Sequence, residues 1–370
     1  MGALTLDRGA VTVACVPLNE ALRELPSEWE GLRERSEASP FAGWAWHRAW
    51  SSSAPEAELR ACHTVVLRGG GGVEAILPLA SRSVAFRRQR ATALTWAIGD
   101  LGCPDRMDVL ALPEANFDAF MPALRALPWD ILTLGNLAAS APHAMRLAQA
   151  LARHGCAVRW NELWPCPYLD LPATWEEYLA TLSPNRRQVL RRRERVLDRE
   201  HTVTVTDYEG DRLEEGWRHL VALHEQRWAA AGIFTDPRVE RLHHAFTHEL
   251  AQRGQLWLTT LDLDGRPAAA WYGFADRETV YFYQSGRDPR WDDKSVGVAL
   301  MVKMIRRAIE RGYKRFDFLR GDEAYKRQWT VAEDVTRELV AFRPSWRGQW
   351  LRSIDLAARL RARLGGAART

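Results

Sequence analysis

The residues best suited to chemistry are concentrated in one short segment around residue 320. An apolar stretch at 316–319 is followed at once by a run of ionisable and hydroxyl side chains. Polar groups on a loop at the end of a rigid strand often form binding or catalytic sites. In such a loop a carboxylate can act as a general base and a tyrosine as a general acid. The candidate residues of this loop are Asp317, Arg320, Asp322, Glu323, Tyr325 and Lys326.

A second candidate site lies where a predicted helix begins near Ser295. A predicted strand ends at Gln284, a polar loop follows, and the helix then starts with Ser295, Val296 and Gly297. The first N–H groups of a helix and its dipole favour anions, and a glycine in the first turn lets a ligand approach the backbone. This arrangement suits a pyrophosphate. A serine N-cap with a glycine used only for packing would give the same pattern.

A third candidate group lies on a long predicted helix at about 211–231. His224 interrupts an apolar stripe that includes Trp228, and Arg227 lies beside it on the neighbouring face. Burial next to a guanidinium makes an imidazole lose its proton more readily, which suits a neutral base or donor. The spacing is equally typical of a cleft wall and of a hydrogen-bonded core histidine.

Two basic helices are also predicted. One begins after Ser183-Pro184 and runs to about residue 200, with many arginines. Its interspersed acidic residues and its lack of stacking aromatics favour a solvated face, or a site for a small anion, over nucleic-acid binding. The other helix spans 346–370. It could contact an anionic membrane surface, but docking on the body of the protein is the favoured interpretation.

Composition limits the class of protein. The chain has 370 residues, a length that suggests two domains or one large one. With 46% hydrophobic and 26% charged residues, the composition is typical of a globular protein. A net charge of +4 permits an anionic partner without requiring one. No apolar run is long enough for a membrane span, and residues 1–8 lack the pattern of a secretory signal. We therefore expect a cytoplasmic protein that does not bind DNA.

Metal and disulfide chemistry are not expected. The five cysteines are scattered without a CxxC pair, which favours free thiols in a reducing compartment. His243, His244 and His248 have helical spacing but lack the glutamate of a zinc-protease motif. The glycines at 69–72 precede no Lys-Ser/Thr and predict a hairpin tip rather than a phosphate-binding loop.

The predicted elements suggest an internal duplication. The order strand, strand, helix, strand, loop occurs in both halves, but only the second half ends in a charged loop. We therefore expect a non-catalytic domain at 1–165, a catalytic domain at 166–345 and a basic amphipathic helix at 346–370.

Several segments of the sequence resemble a known family. The segments 223–228, 283–286, 295–297 and above all 316–326 are similar to the GNAT-type acyltransferase domain of CelD-like and FemAB-like proteins. Segments 40–41 and 73–79 resemble, more loosely, the N-terminal half of the same proteins. The resemblance implies an α/β fold made of tandem GNAT-like domains, each a mixed, largely antiparallel sheet flanked by helices.

The resemblance also implies N-acyl transfer to an amine of a small molecule, a sugar or a peptide-like acceptor. The donor would be acetyl-CoA or another acyl-CoA, or aminoacyl-tRNA as in the Fem branch. A scaffold that only binds a ligand is the remaining alternative. One departure concerns the pyrophosphate loop, because the usual Arg/Gln-x-x-Gly-x-Gly/Ala motif is replaced by the residues 295–298.

The chemistry of acyl transfer and the resemblance together suggest roles for the candidate residues. The base is expected among Asp317, Glu323 and His224, and the acid is expected to be Tyr325. The carboxylates could equally bind a cationic acceptor. The residues expected to bind the donor are Gln284, Ser285, Ser295, Val296, Gly297 and Lys326. The residues expected to bind the acceptor are Arg227, Trp228, Tyr283, Arg320 and Asp322.

Overall fold

The protein divides into two compact units in a computed structural model that describes residues 4–5 and 11–367. Unit one comprises Met1–Trp164 and Val335–Thr370, and unit two comprises Pro165–Asp334. The sequence places residues 335–345 in the second domain, whereas the structure groups them with unit one. The physical reason is strand pairing, which the local sequence does not specify. Parts of the predicted N-terminal segment (1–3 and 6–8) and of the C-terminal helix (368–370) lie outside the described residues.

The strands alternate in direction along most of the chain. In chain order they are β1 (Leu4–Thr5), β2 (Thr12–Pro17), β3 (Cys62–Gly69), β4 (Gly72–Phe86), β5 (Gln89–Trp96), β6 (Leu110–Ala111), β7 (Ile131–Leu137), β8 (Ala157–Asp170), β9 (Val203–Asp207), β10 (Leu256–Leu263), β11 (Arg266–Asp276), β12 (Thr279–Arg287), β13 (Arg315–Asp317) and β14 (Glu333–Phe342).

Helices connect these strands. In chain order they are α1 (Leu18–Glu24), α2 (Pro26–Arg35), α3 (Trp44–Ser53), α4 (Glu56–Arg60), α5 (Met121–Ala126), α6 (Pro142–Arg153), α7 (Trp175–Thr181), α8 (Pro184–Glu200), α9 (Leu213–Trp228), α10 (Pro237–Gln252), α11 (Val296–Glu310) and α12 (Trp346–Ala367). None of the helices within the described residues is both long and apolar enough to cross a bilayer.

The sheet of unit one is antiparallel from β2 through β5. Strand β5 then pairs in parallel with β7, and β14 is antiparallel to β7. The predicted glycine hairpin is the connection between β3 and β4, where Gly69 lies opposite Gly72. The pairing of β14 with β7 is what assigns the C-terminal strand to this unit.

The sheet of unit two repeats the same series of pairings. Strands β9 to β12 are antiparallel, β12 pairs in parallel with β13, and β13 is antiparallel to the last part of β8. Helices flank both sheets. The predicted fold class, α/β with a mixed and largely antiparallel sheet in each half, is therefore confirmed.

The core of unit two lies between its sheet and α11. This helix buries the apolar face that includes Leu300, Met304 and Ile305 against a cluster that contains Trp271 and Phe316. Because both the helix and the sheet are anchored in one apolar cluster, the first turn of α11 and the end of β12 are held on a rigid support.

Candidate active site

The site begins where two parallel strands separate. Strand β12 pairs with β13 only up to Tyr281 and Asp317, although β12 itself continues to Arg287. Beyond Asp317 the chain is held by β8 instead, because Phe318 donates its N–H to Pro167 O at 3.0 Å. Past Tyr281, the pairing of β12 continues on one side only, with β11.

The charged loop after β13 is organised by Asp317. This carboxylate is buried, and its Oδ1 accepts a hydrogen bond from the Leu319 N–H at 2.8 Å. Leu319 has a φ of 55°, a left-handed conformation that costs energy for a residue with a Cβ. The bond to Asp317 offsets part of this cost, so the predicted base has a structural task in the turn.

Lys326 closes the same loop from inside. Its buried ammonium group donates to Arg320 O at 2.6 Å and lies 2.9 Å from the Glu323 carboxylate. The N–H of Gly321 further ties the loop to Pro165 O at 2.9 Å. The loop is thus a fixed structure, and Lys326, which was expected to bind the donor, is turned toward the loop backbone.

His224 has partners for both ring nitrogens. Nε2 accepts the Ile233 N–H at 3.2 Å, which leaves Nδ1 to donate to Ser285 O at 3.2 Å. Burial lowers the pKa of His224, and the nearby Arg227 lowers it further, against the opposing effect of the bond to Ser285. A neutral imidazole therefore joins α9 to β12. Its geometry suits positioning better than proton transfer.

The close contact between α9 and β12 depends on Gly286. A Cβ at this position would lie 2.3 Å from His224 N and 2.4 Å from Leu223 C. Only glycine allows the helix backbone to approach the strand so closely. The bond from His224 to the neighbouring Ser285 carbonyl therefore rests on the absence of a side chain at Gly286.

Arg227, Trp228, Ser285 and Tyr325 form one group. The Arg227 guanidinium donates to Ser285 Oγ at 2.5 Å and lies 4.4 Å from the Trp228 ring centre and 5.3 Å from that of Tyr325. Burial lowers the pKa of Arg227, although the group remains a cation at neutral pH. Residues from α9, β12 and the charged loop thus meet at one point.

Tyr325 carries a protonated hydroxyl at neutral pH. Burial, reinforced by the charge of Glu323, raises the pKa of Tyr325 above its ordinary value, while Arg227 opposes this effect. Its ring lies edge-on to Phe282, with ring centres 6.3 Å apart. The geometry is that of a fixed proton donor beside a cation.

A pocket of about 430 Å³ opens beside this group. Its walls come from α8, α9, β11, β12, the start of α11, the charged loop and the residues just after that loop. The residues that line it are Arg186, Arg193, Arg227, Ala270, Trp271, Ser285, Gly286, Arg287, Asp292, Ser295, Gly297, Val298, Leu300, Met301, Tyr325, Gln328 and Trp329.

The pocket is strongly cationic. Burial, and then the charge of Arg193, lowers the pKa of Arg186. The Arg186 guanidinium lies 5.1 Å from the Trp329 ring centre. Its Nε and Nη2 are buried without a hydrogen-bond partner among the described residues. Arg287 is partly neutralised by Asp292, at 2.6 Å. A cavity lined by Arg186, Arg193, Arg227 and Arg287 indicates an anionic ligand.

The start of α11 differs from the expected serine cap. Ser295 has φ and ψ of 55° and 40°, and its side chain makes no capping bond. Its carbonyl accepts from Val298 and Ala299 at 3.0 and 3.1 Å, so the first turn begins with Val296 and Gly297. Ser295 and Gly297 both line the pocket, which places this helix start beside the arginines.

Other predicted site residues lie away from the pocket. Tyr283 packs on His243, with ring centres 4.3 Å apart, and Gln284 accepts the Ser285 N–H at 3.2 Å. Asp322 is exposed and pairs with Arg327 at 2.6 Å. The remaining predicted residues that do not line the pocket are Asp317, Arg320, Glu323, Lys326, His224, Trp228 and Val296.

Sequence reasoning missed part of the pocket. Arg186 and Arg193 are seven residues apart on α8, two helical turns, and therefore share a face. That spacing was a usable signal within the arginine-rich helix. Trp329 and the pair of Arg287 with Asp292 gave no comparable signal, because their place depends on how the elements pack.

One group of side chains could hold a metal. Glu214, His244 and His248 each offer a ligand atom, and these atoms lie within 4.8 Å of one another. His244 Nε2 and His248 Nε2 already contact Glu214 Oε1 at 2.9 and 3.0 Å. None of the three lines the pocket, and the expectation that the protein uses no metal stays a prediction.

A comparison with protein families matches part of unit two. Residues 184–327 match the acetyltransferase (GNAT) domain family. No curated protein matches the chain.

Similar solved structures share the fold. A structure of FemX is 11% identical with a TM-score of 0.59, over 86% of this chain and 96% of that one. L-PGS from Bacillus licheniformis is 13% identical with a TM-score of 0.54, over 90% and 96%. A conserved protein of unknown function from Bacteroides thetaiotaomicron is 13% identical with a TM-score of 0.51, over 89% and 98%. At these identities the likeness is one of fold.

Proposed function

We propose that this chain moves an acyl group from an acyl-CoA to an amine. The premise is that it carries a GNAT-type acetyltransferase domain and is therefore a transferase. The observation that carries the proposal is the arginine-lined pocket beside the first turn of α11. Acetyl-CoA is the simplest donor of this class. The acceptor would be an amine of a small molecule, a sugar or a peptide-like molecule.

The pocket has the properties that a phosphorylated donor requires. Its volume of about 430 Å³ lies in the range of small-molecule sites. Arg186 and Arg193 supply guanidinium groups, and the N–H groups of Val296 and Gly297 start a helix whose dipole favours an anion. These features compensate for the altered pyrophosphate motif, because arginines from α8 supply part of the phosphate contacts that the usual loop would make.

The separated strands supply a place for the reactive end of the donor. Pairing of β12 with β13 stops at Tyr281, and Ser285, Gly286 and Arg287 at the far end of β12 line the pocket. An extended chain with amide groups can lie along such a strand in the manner of an added strand. This orientation would direct the thioester toward Arg227 and Tyr325.

Different side chains of the site would carry the separate steps of acyl transfer. Tyr325 donates its phenolic proton to the departing sulfur, since burial keeps the hydroxyl protonated. Arg227 stabilises negative charge on the acyl oxygen. Glu323 is exposed and electrostatically coupled to both Arg227 and Tyr325, so it takes the proton of the amine. His224 positions Ser285 and transfers no proton.

Ligand binding by purified protein tests the donor. We expect acetyl-CoA and CoA to raise the melting temperature, because a ligand that binds only the folded state stabilises it. Arg186→Met and Arg193→Met should each weaken binding about tenfold or more. Arg199→Met is the matched control, because Arg199 lies on the same helix, is exposed and pairs with Glu200 at 3.1 Å. The absence of any shift with all CoA esters would refute this donor.

Aminoacyl-tRNA is the second candidate donor. The observation that favours it is a set of exposed arginines on α8 outside the pocket: Arg191, Arg192, Arg195 and Arg199. Binding of tRNA should then weaken steeply with salt, because each phosphate contact releases counterions. No binding of tRNA even at low salt would eliminate this donor. Measured turnover with either donor would eliminate a scaffold that only binds.

We place this reaction in the cytoplasm. The five cysteines are free thiols, as expected in a reducing compartment. Fractionation of cells that produce the protein would test the assignment.

A further inference from the structure

The C-terminal helix of unit one presents most of its large apolar side chains to solvent. Trp346, Trp350, Leu356, Leu360 and Leu364 of α12 are 79%, 43%, 56%, 51% and 73% exposed. They make up most of the large hydrophobic side chains that are exposed among the described residues. Exposed large apolar side chains concentrated on one helix usually mark an interaction site.

The helix is attached to unit one through its opposite face. Leu351 is fully buried in a cluster with Val340 and Phe342. Asp355 is also buried and pairs with Arg87 at 2.9 Å and with Arg159 at 2.8 Å. An ordinary surface helix turns its apolar stripe inward, whereas α12 buries a carboxylate on its inward face and exposes a second apolar stripe.

The exposed side chains form one stripe. At 3.6 residues per turn, Trp346, Trp350, Leu360 and Leu364 fall on the same side of the helix, and Leu356 lies at its edge. Arginines flank the stripe on both sides. Arg361 lies on one side and Arg352 and Arg359 lie on the other.

We propose that this stripe binds the surface of an anionic lipid bilayer. Tryptophan and leucine on one face with arginines along the borders are typical of helices that lie in the membrane interface. The arginines would contact lipid phosphates, and anionic lipids would strengthen that attraction. A second copy of the chain is a poorer occupant, because two such stripes would bring rows of arginines together.

A groove beside the helix supports the same partner. It encloses about 420 Å³ and is lined by α12 and by the neighbouring strands of unit one. Arg352 and Arg359 face it together with the apolar side chains of Phe342 and Leu360. Cationic and apolar groups side by side match the two parts of a lipid, a phosphate headgroup and the start of an acyl chain.

The test is co-sedimentation of the full chain with vesicles. We expect binding to vesicles of phosphatidylglycerol and phosphatidylcholine, at least tenfold weaker binding to phosphatidylcholine alone, and loss of binding at high salt. Leu360→Gln combined with Leu364→Gln, and separately Trp350→Gln, should each weaken binding at least tenfold. Trp164→Gln is the matched control, because Trp164 belongs to the same unit and is 50% exposed.

The charges can be tested in the same assay. Arg352→Glu combined with Arg361→Glu should abolish the preference for anionic vesicles, whereas Arg48→Glu, at an exposed site on α3, should not. Equal melting temperatures of all variants would show that each folds. The proposal is overturned if the wild type does not bind anionic vesicles at low salt, or if the stripe variants bind like the controls. It is also overturned if the stripe instead mediates a dimer that the variants dissociate. None of these outcomes depends on the identity of the acyl donor.

Discussion

Replacing Gly286 by alanine should destabilise unit two and displace the site. The added Cβ would lie 2.3 Å from His224 N, about 1 Å short of an ordinary contact. Both close atoms belong to the backbone of α9, so no side chain can rotate away and the helix itself must move. Overpacking of this severity costs about 3 kcal/mol. For a unit of this size such a loss lowers the melting temperature by about 6–12 °C.

The same shift should impair ligand binding. Moving α9 off β12 lengthens the bond from His224 to Ser285 O and displaces Arg227 from Ser285 Oγ. We therefore expect Gly286→Ala to bind acetyl-CoA about tenfold or more weakly, measured by titration calorimetry below its unfolding temperature. Urea unfolding followed by circular dichroism gives the stability change.

Gly297→Ala is the matched control for stability. A Cβ at Gly297 would meet its nearest atom, Arg287 Cδ, at 3.7 Å, an ordinary contact. In the first turn of α11 alanine should leave the stability unchanged or raise it by up to about 1 kcal/mol. The reasoning is refuted if Gly286→Ala unfolds at the wild-type urea concentration, or if both glycine variants lose equal stability.

Three further predictions follow from the site and the core. Tyr325→Phe should lower kcat about 100-fold or more while the Kd for acetyl-CoA stays unchanged; an unchanged kcat would remove Tyr325 as the acid. Lys326→Met should lower the free energy of unfolding by about 2 kcal/mol, because buried loop carbonyls lose their donor; urea unfolding no different from wild type would contradict this. Burial lowers the pKa of His47 from 6.5 to about 4 and that of His243 to about 3. Stability should therefore fall as the pH drops below about 6.5, by roughly 1.4 kcal/mol per pH unit for each histidine. Urea unfolding at pH 7.5 and pH 5 measures the loss, and equal stability at both would argue against it.

The sequence by itself determined the elements and much of their chemistry. The glycines at 69–72 predicted a hairpin, the apolar stretch before residue 320 predicted a strand, and the order of elements predicted two halves of the same design. These features depend on side-chain periodicity and turn chemistry within a few residues. The group of Arg227, Trp228 and Tyr325 was predicted residue by residue for the same reason, since each lies in a segment with a recognisable pattern.

Only the tertiary structure decided which residues meet. Arg186 joins the pocket because the packing of α8 brings it to the same cavity as the start of α11, and no local pattern encodes that arrangement. His224 became a positioning residue because its two partners, Ser285 and Ile233, lie on other segments. The last helix was expected to dock on the body of the protein, and the structure shows that it does so through Leu351 and the buried Asp355. A local sequence shows that a helix has an apolar face, but whether that face packs inward depends on the partners that distant strands and their arginines provide.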